Sequence, residues 1–131
     1  MKNYAFHILR VGTAITFLWI GVLIIKDPDA WIGLVQPWVE KISPLPLEKA
    51  LISTAVLDLA VGFFLLIDRF VLAASVLGFI HIITVLIVTG ITVITVRDIA
   101  ILAGCLALAF EAYPTGFRPK TLKDFLMLLA K

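Results

Sequence analysis

Few residues in this chain could do chemistry, and two of them stand where their types are costly. Asp58 interrupts the otherwise uncharged run 51–66, and His81 interrupts the apolar run 71–88. A carboxylate at the centre of a bilayer costs about 2.5–3.5 kcal/mol on insertion scales, so it turns to a bundle interior, finds a partner or keeps its proton. Asp58 lies nine residues before Ile67, and His81 lies eleven after Phe70. Antiparallel helices joined at Asp68-Arg69 would bring the two within about one turn in depth. Thr54, Asp58 and Gly62 recur every four residues and share one small, polar helix face. The expected contact is a His–Asp hydrogen bond between helices. It would serve to fasten two helices or to handle a proton or bind a quinone; the remaining alternative is a lipid-facing His81 with Asp58 unpaired, and the residues alone leave all three open.

Arg10 is the third intramembrane polar candidate. It sits about two turns inside the first apolar block and is expected to snorkel to the cytoplasmic headgroups, the alternative being a turn inward toward Asp58. Lys26, Arg97 and Asp98 are expected to cluster at the outer surface. Asp98 would sit in a helix's first turn, where negative charge is favourable. That cluster reads as interfacial anchoring or as the polar mouth of a ligand or partner site. Glu111 and Tyr113 fall near the inner end of the last apolar block.

Several chemistries are missing from the pattern. His7 and His81 are the only histidines and lie at different depths, so one chain cannot supply bis-histidine haem ligation. Cys105 is the single cysteine, which leaves no internal disulfide and no CxxC relay. No Cys/His cluster has zinc spacing, and neither GxxxxGK[ST] nor GxGxxG occurs. Ser53 and Ser75 read as small packing residues. The sequence therefore points to no catalytic residue, no metal and no cofactor of its own.

The elements that must position these residues follow from composition. Of 131 residues, 62% are hydrophobic and 15% charged, against roughly 45–50% and 25% in soluble domains. The solvent for so much apolar surface is lipid. A net charge of +2 is too small to imply a nucleic-acid partner. The first block lacks an A-x-A-like cleavage site and reads as a retained anchor. The expected fold is all-α, one membrane domain over residues 1–131, a bundle of four transmembrane helices at about 4–25, 50–67, 70–91 and 97–113. None of the blocks alternates as barrel strands do.

The connectors carry their own signals. Asp27-Pro28 reads as a helix cap followed by proline at the first helical position. Residues 30–42 place Trp31, Leu34, Val35 and Trp38 at helical spacing, with Pro37 expected to bend or divide the segment. An interfacial stretch with its tryptophans at headgroup depth is expected there. Residues 91–96 form a β-rich link, either extended or continuing the third helix. Ala74 with Gly78, and Ala100 with Gly104, read as small-residue helix contacts. The tail 114–131 reads as a short amphipathic helix capped by Thr121, with Leu122, Phe125, Leu126 and Leu129 on one face and lysines largely outside it. It would lie on the membrane or pack on a neighbouring subunit.

Lys2, Arg10, Arg69, Arg118, Lys120, Lys123 and Lys131 fall on one side of this arrangement; Lys26, Lys41, Lys49 and Arg97 fall on the other. The positive-inside rule then places both termini in the cytoplasm.

One resemblance runs through these residues. Arg10 opens the first span, with Trp19, Gly21 and Lys26 toward its end. The second span carries Leu57-Asp58-Leu59-Ala60-Val61-Gly62. The fourth begins Val96-Arg97-Asp98-Ile99 and continues through Leu102-Ala103-Gly104. Over residues 8–110 the chain resembles the DoxX family of small four-helix membrane proteins, which tends to have Glu where this chain has Asp58. The resemblance implies a four-helix bundle in a prokaryotic cell membrane. For some members it implies association with quinone-linked oxidoreductases, including thiosulfate:quinone oxidoreductase. The expectation that follows is an accessory subunit of a respiratory or quinone-linked complex, touching lipid and other integral membrane subunits, with a quinone at an interface. The alternative is a homo-oligomeric protein that binds or transports a small molecule or a quinone.

Overall fold

The structure, a computed structural model, describes residues 3–114 and Lys123 of the chain. Six helices follow in order: α1 (Tyr4–Lys26), α2 (Pro28–Ile32), α3 (Pro37–Ile42), α4 (Leu47–Leu66), α5 (Val71–Thr89) and α6 (Asp98–Ala112), with a 3-10 turn over Thr95–Arg97 ahead of α6. No strand occurs among the described residues. The amphipathic helix expected over 114–131 lies outside the described residues apart from its first residue and Lys123.

Three helices, α1, α4 and α5, are long and apolar enough to cross a membrane. They mark the chain as an integral membrane protein. At about 1.5 Å per residue, the 15 residues of α6 reach only about 22 Å, short of a ~30 Å hydrocarbon core.

Local chemistry explains most boundaries. Asn3 caps α1, its Oδ1 accepting from Phe6 N at 2.9 Å. Asp27 caps α2 by accepting from Ala30 N at 3.2 Å, with Pro28 at the first helical position, as the sequence predicts. Pro37 divides the connector: α2 ends at Ile32 and α3 starts at Pro37 itself. The Asp68-Arg69 turn is tight, and it needs left-handed backbone at Asp68 (φ 57°) and at Phe70 (φ 53°). Asp tolerates that region; for Phe70 it is an unusual conformation for a bulky side chain.

Small residues set how closely the helices approach. α1 and α4 run antiparallel in near backbone contact: a Cβ on Gly62 would stand 2.7 Å from Leu18 Cγ and 2.9 Å from Ala14 O. Gly21 meets Leu59 and the Ala55 carbonyl in the same way, so the contact runs for two turns along both helices. Gly78 on α5 lies against Phe17, Val61 and Cys105, which places the centre of the core where α1, α4, α5 and α6 converge. Gly104 packs on Thr13, as a helix contact should, whereas Ala100 is exposed and takes no part in that expected pair.

The link between α5 and α6 is neither an extended strand nor a continuation of α5. Gly90 breaks the helix with a φ of 72°. Thr95 Oγ1 then donates to Gly90 O at 2.6 Å and accepts from Thr92 N at 2.8 Å, while Thr92 Oγ1 accepts from Thr95 N at 3.1 Å. Two threonine hydroxyls thus occupy backbone groups that no helix satisfies, which a poorly hydrated setting requires.

Candidate functional site: a cavity lined by ionisable residues

Asp58 projects from the middle of α4 and His81 from the middle of α5. His81 Nε2 stands 2.9 Å from Asp58 Oδ1, with both side chains almost fully buried. The depth match counted from the turn is therefore met, and the two residues join α4 to α5.

Arg10 follows neither expected course. It is buried, and its guanidinium neither snorkels out to the headgroups nor reaches Asp58. Arg10 Nη1 donates to the carbonyls of Leu65 and Leu66, the latter at 2.9 Å, and Nε faces Asp68 Oδ1 at 3.5 Å. A cation on the last carbonyls of α4 complements the helix's negative end and adds a donor to Leu66 O and to Leu65 O, which also accepts from Asp68 N at 3.3 Å. The antiparallel register explains the outcome: with Ala14 against Gly62, one turn back along α1 meets one turn on along α4.

Of the expected outer-surface residues Lys26, Arg97 and Asp98, the two cations are exposed. Lys26 is exposed at the C-terminal end of α1, while Asp98 is buried. The contacts Ala14–Gly62 and Thr13–Gly104 place Asp58 and Asp98 near one level of α1, within about one turn. Residues 90–97 thus bring the start of α6 down toward the depth of the Asp58–His81 contact.

As a result Asp58, His81, Arg97 and Asp98 line a single cavity of about 100 Å³. The other walls are mostly apolar, with Phe17 and Ile24 from α1 and Ile82 and Val85 from α5. The connector between α1 and α4 supplies Trp31, Leu34 and Val35. It is held there by Gln36, whose N–H donates to Val88 O at 2.9 Å and whose Nε2 donates to Thr89 O at 3.3 Å. Trp31 therefore faces the cavity, while Trp38 on α3 is 42% exposed.

No three residues among the described His, Cys, Asp and Glu come together as a metal site. The sequence reading missed two members of this site's architecture. Thr95 looked like part of a β-rich link, and the roof residues Trp31, Leu34 and Val35 looked like a membrane-surface stripe. Periodicity identified the latter as one face without showing what that face covers. No family model, no curated protein and no solved structure matches the chain.

Proposed function

We propose that this protein is an intramembrane binding protein for a small, largely apolar molecule that carries one polar group. The observation that carries this reading is the convergence of Asp58, His81, Arg97 and Asp98 on one mostly apolar cavity. Ligand sites are mostly apolar with a few convergent polar groups, and ionisable residues within a membrane usually mark a functional path. An accessory subunit acting through its outer faces has no need of three buried ionisable groups, Asp58, His81 and Asp98, on one cavity. That contrast favours binding over the subunit reading, for which the family resemblance speaks. If the bound molecule is a quinone, electrons must come from a partner, since the chain offers no redox group of its own among the residue types it contains.

The same reading has a membrane arrangement. Residues 90–97 and α6 together make the fourth crossing, with the non-helical part turned toward the protein interior. The α2–α3 connector roofs the bundle at one interface, where Trp38 reaches headgroup depth. The lysine and arginine distribution supports both termini in the cytoplasm, and the family resemblance speaks for a prokaryotic cell membrane.

The test is a stability measurement. Protein washed free of small molecules is mixed with fractions of a solvent extract of its source membrane. A ligand at a hundred times its Kd adds about 2.7 kcal/mol to folded-state stability. One fraction should raise the unfolding temperature of the wild type and leave Asp58→Asn unmoved. If every fraction shifts both proteins equally, the binding reading fails.

A further inference from the structure

Two segments cover the cavity at the C-terminal end of α5, and they are held differently. Residues 90–97 are tied down: Thr95 is buried, and its hydroxyl joins Gly90 O to Thr92 N. The connector between α1 and α4 lays Trp31, Leu34 and Val35 on the cavity, yet none of residues 27–46 is buried. Among the described residues, two hydrogen bonds join residues 28–45 to another helix, and both come from Gln36. Gln36 is itself exposed. Its partners, Val88 O and Thr89 O, belong to the last turn of α5, whose carbonyls have no donor within the helix. The Gln36 amide rests on Gly90, where a Cβ would stand 2.7 Å from Nε2.

We propose that residues 28–45 are a lid on the cavity, latched by Gln36 to the end of α5, and that release of the latch opens the cavity to the membrane interface. The lid's purpose rests on the binding reading above; its opening does not. A segment with no buried residue and two tertiary hydrogen bonds opens at lower free energy than the helices it covers. Water from the interface takes the Val88 and Thr89 carbonyls when Gln36 leaves, so most of each hydrogen bond is exchanged rather than lost. Both ends of the lid are non-helical corners. It leaves α1 at Asp27 (φ −148°, ψ 77°) and reaches α4 through Ser43 and Pro46, both extended at ψ 126° and 141°. Corners of this kind absorb the change in backbone angle that a lid needs.

The test follows modification of Ile82→Cys by a water-soluble, membrane-impermeant methanethiosulfonate in lipid nanodiscs, read by mass spectrometry of the intact protein. Ile82 is buried and lines the cavity, so a thiol there reacts when a cover opens. Val85→Cys, one turn nearer the latch on the same cavity, is the second reporter should Ile82→Cys fail to fold. Native Cys105 is fully buried away from the cavity lining and should stay unmodified, which shows that the bundle is intact. With Gln36 present, modification should be slow and go to completion. Gln36→Leu removes one hydrogen bond and should speed it about three- to tenfold. Gln36→Pro removes both, at a φ of −64° that the proline ring accepts, and should speed it further.

Reporters that never react while Gln36 is present would show a fixed roof, and equal rates in all three proteins would show that Gln36 is no latch. Modification of Cys105 as fast as the reporter would show that the whole bundle opens. Each of these results overturns the lid. None of them touches the binding reading, which falls instead if no membrane-extract fraction stabilises the wild type over Asp58→Asn.

Discussion

His81 Nε2 lies 2.9 Å from Asp58 Oδ1, and this contact ties the centre of α4 to the centre of α5 at the wall of the inner cavity. Polar pairs between membrane helices contribute about 0.6 kcal/mol on average and up to about 1.7. A double-mutant cycle with Asp58→Asn and His81→Gln, measured by unfolding in mixed micelles, should give a coupling of about that size. Strictly additive effects would show that the contact does not hold the helices together.

Arg10 acts on the C-terminal end of α4. Arg10→Met removes the side-chain donor that the Leu65 and Leu66 carbonyls share in a buried setting, while Leu65 O keeps Asp68 N at 3.3 Å. The expected loss is about 1–3 kcal/mol of stability. Arg10→Lys should recover part of it, because an ammonium complements the helix end but cannot place a fork on two carbonyls and Asp68 together. Equal stability of Arg10→Met and wild type would mean that Arg10 faces the headgroups, as a snorkelling residue does.

Two glycines of α1 and α4 should respond in opposite ways to alanine. At Gly62 a Cβ meets the Ala14 carbonyl at 2.9 Å and Leu18 N at 3.0 Å, both backbone atoms, so α1 and α4 must part. Gly62→Ala should cost about 1–3 kcal/mol, the usual range for overpacking. At Gly12 nothing lies within 4 Å of the added carbon. Gly12→Ala should be neutral or should stabilise by up to about 1 kcal/mol through helix propensity. Thermal unfolding of the two variants side by side is the check.

Thr95 organises the descent into α6. Thr95→Val keeps the shape and removes the hydroxyl shared by Gly90 O and Thr92 N. A loss of about 1–3 kcal/mol is expected for Thr92 N, which is left without its acceptor, while Gly90 O keeps Thr89 Oγ1 at 3.2 Å. Amide exchange should rise over residues 90–97 and remain slow at the centre of α5. Unchanged exchange over that link would mean the hydroxyl is not what holds it.

The sequence carried the pairing of Asp58 with His81 because a two-residue turn leaves almost no freedom in depth between the helices it joins. It carried the Asp27-Pro28 cap and the division at Pro37 because those residue types act on their own backbone. Arg10 was beyond it. Its destination depends on the register of α1 against α4, which is set by Gly62 and Gly21 approaching a neighbouring backbone, and no periodicity records that. The place of Asp98 was beyond it for a related reason. Counting residues assumes that each helix starts at the membrane surface, and here the threonine-tied link brings the start of α6 down to the cavity. The β-branched run 91–96 gave no warning, since its hydroxyls satisfy a turn as readily as its side-chain shapes suit a strand.

The central claim is that the charged cavity holds a molecule, and native mass spectrometry after gentle extraction from the source membrane tests it most directly. The account predicts a small molecule retained by the wild-type chain and lost from Asp58→Asn and Asp98→Asn proteins that remain folded under the same conditions. A wild-type chain that carries no such mass, and instead travels with other polypeptides whether or not Asp58 is present, would contradict it.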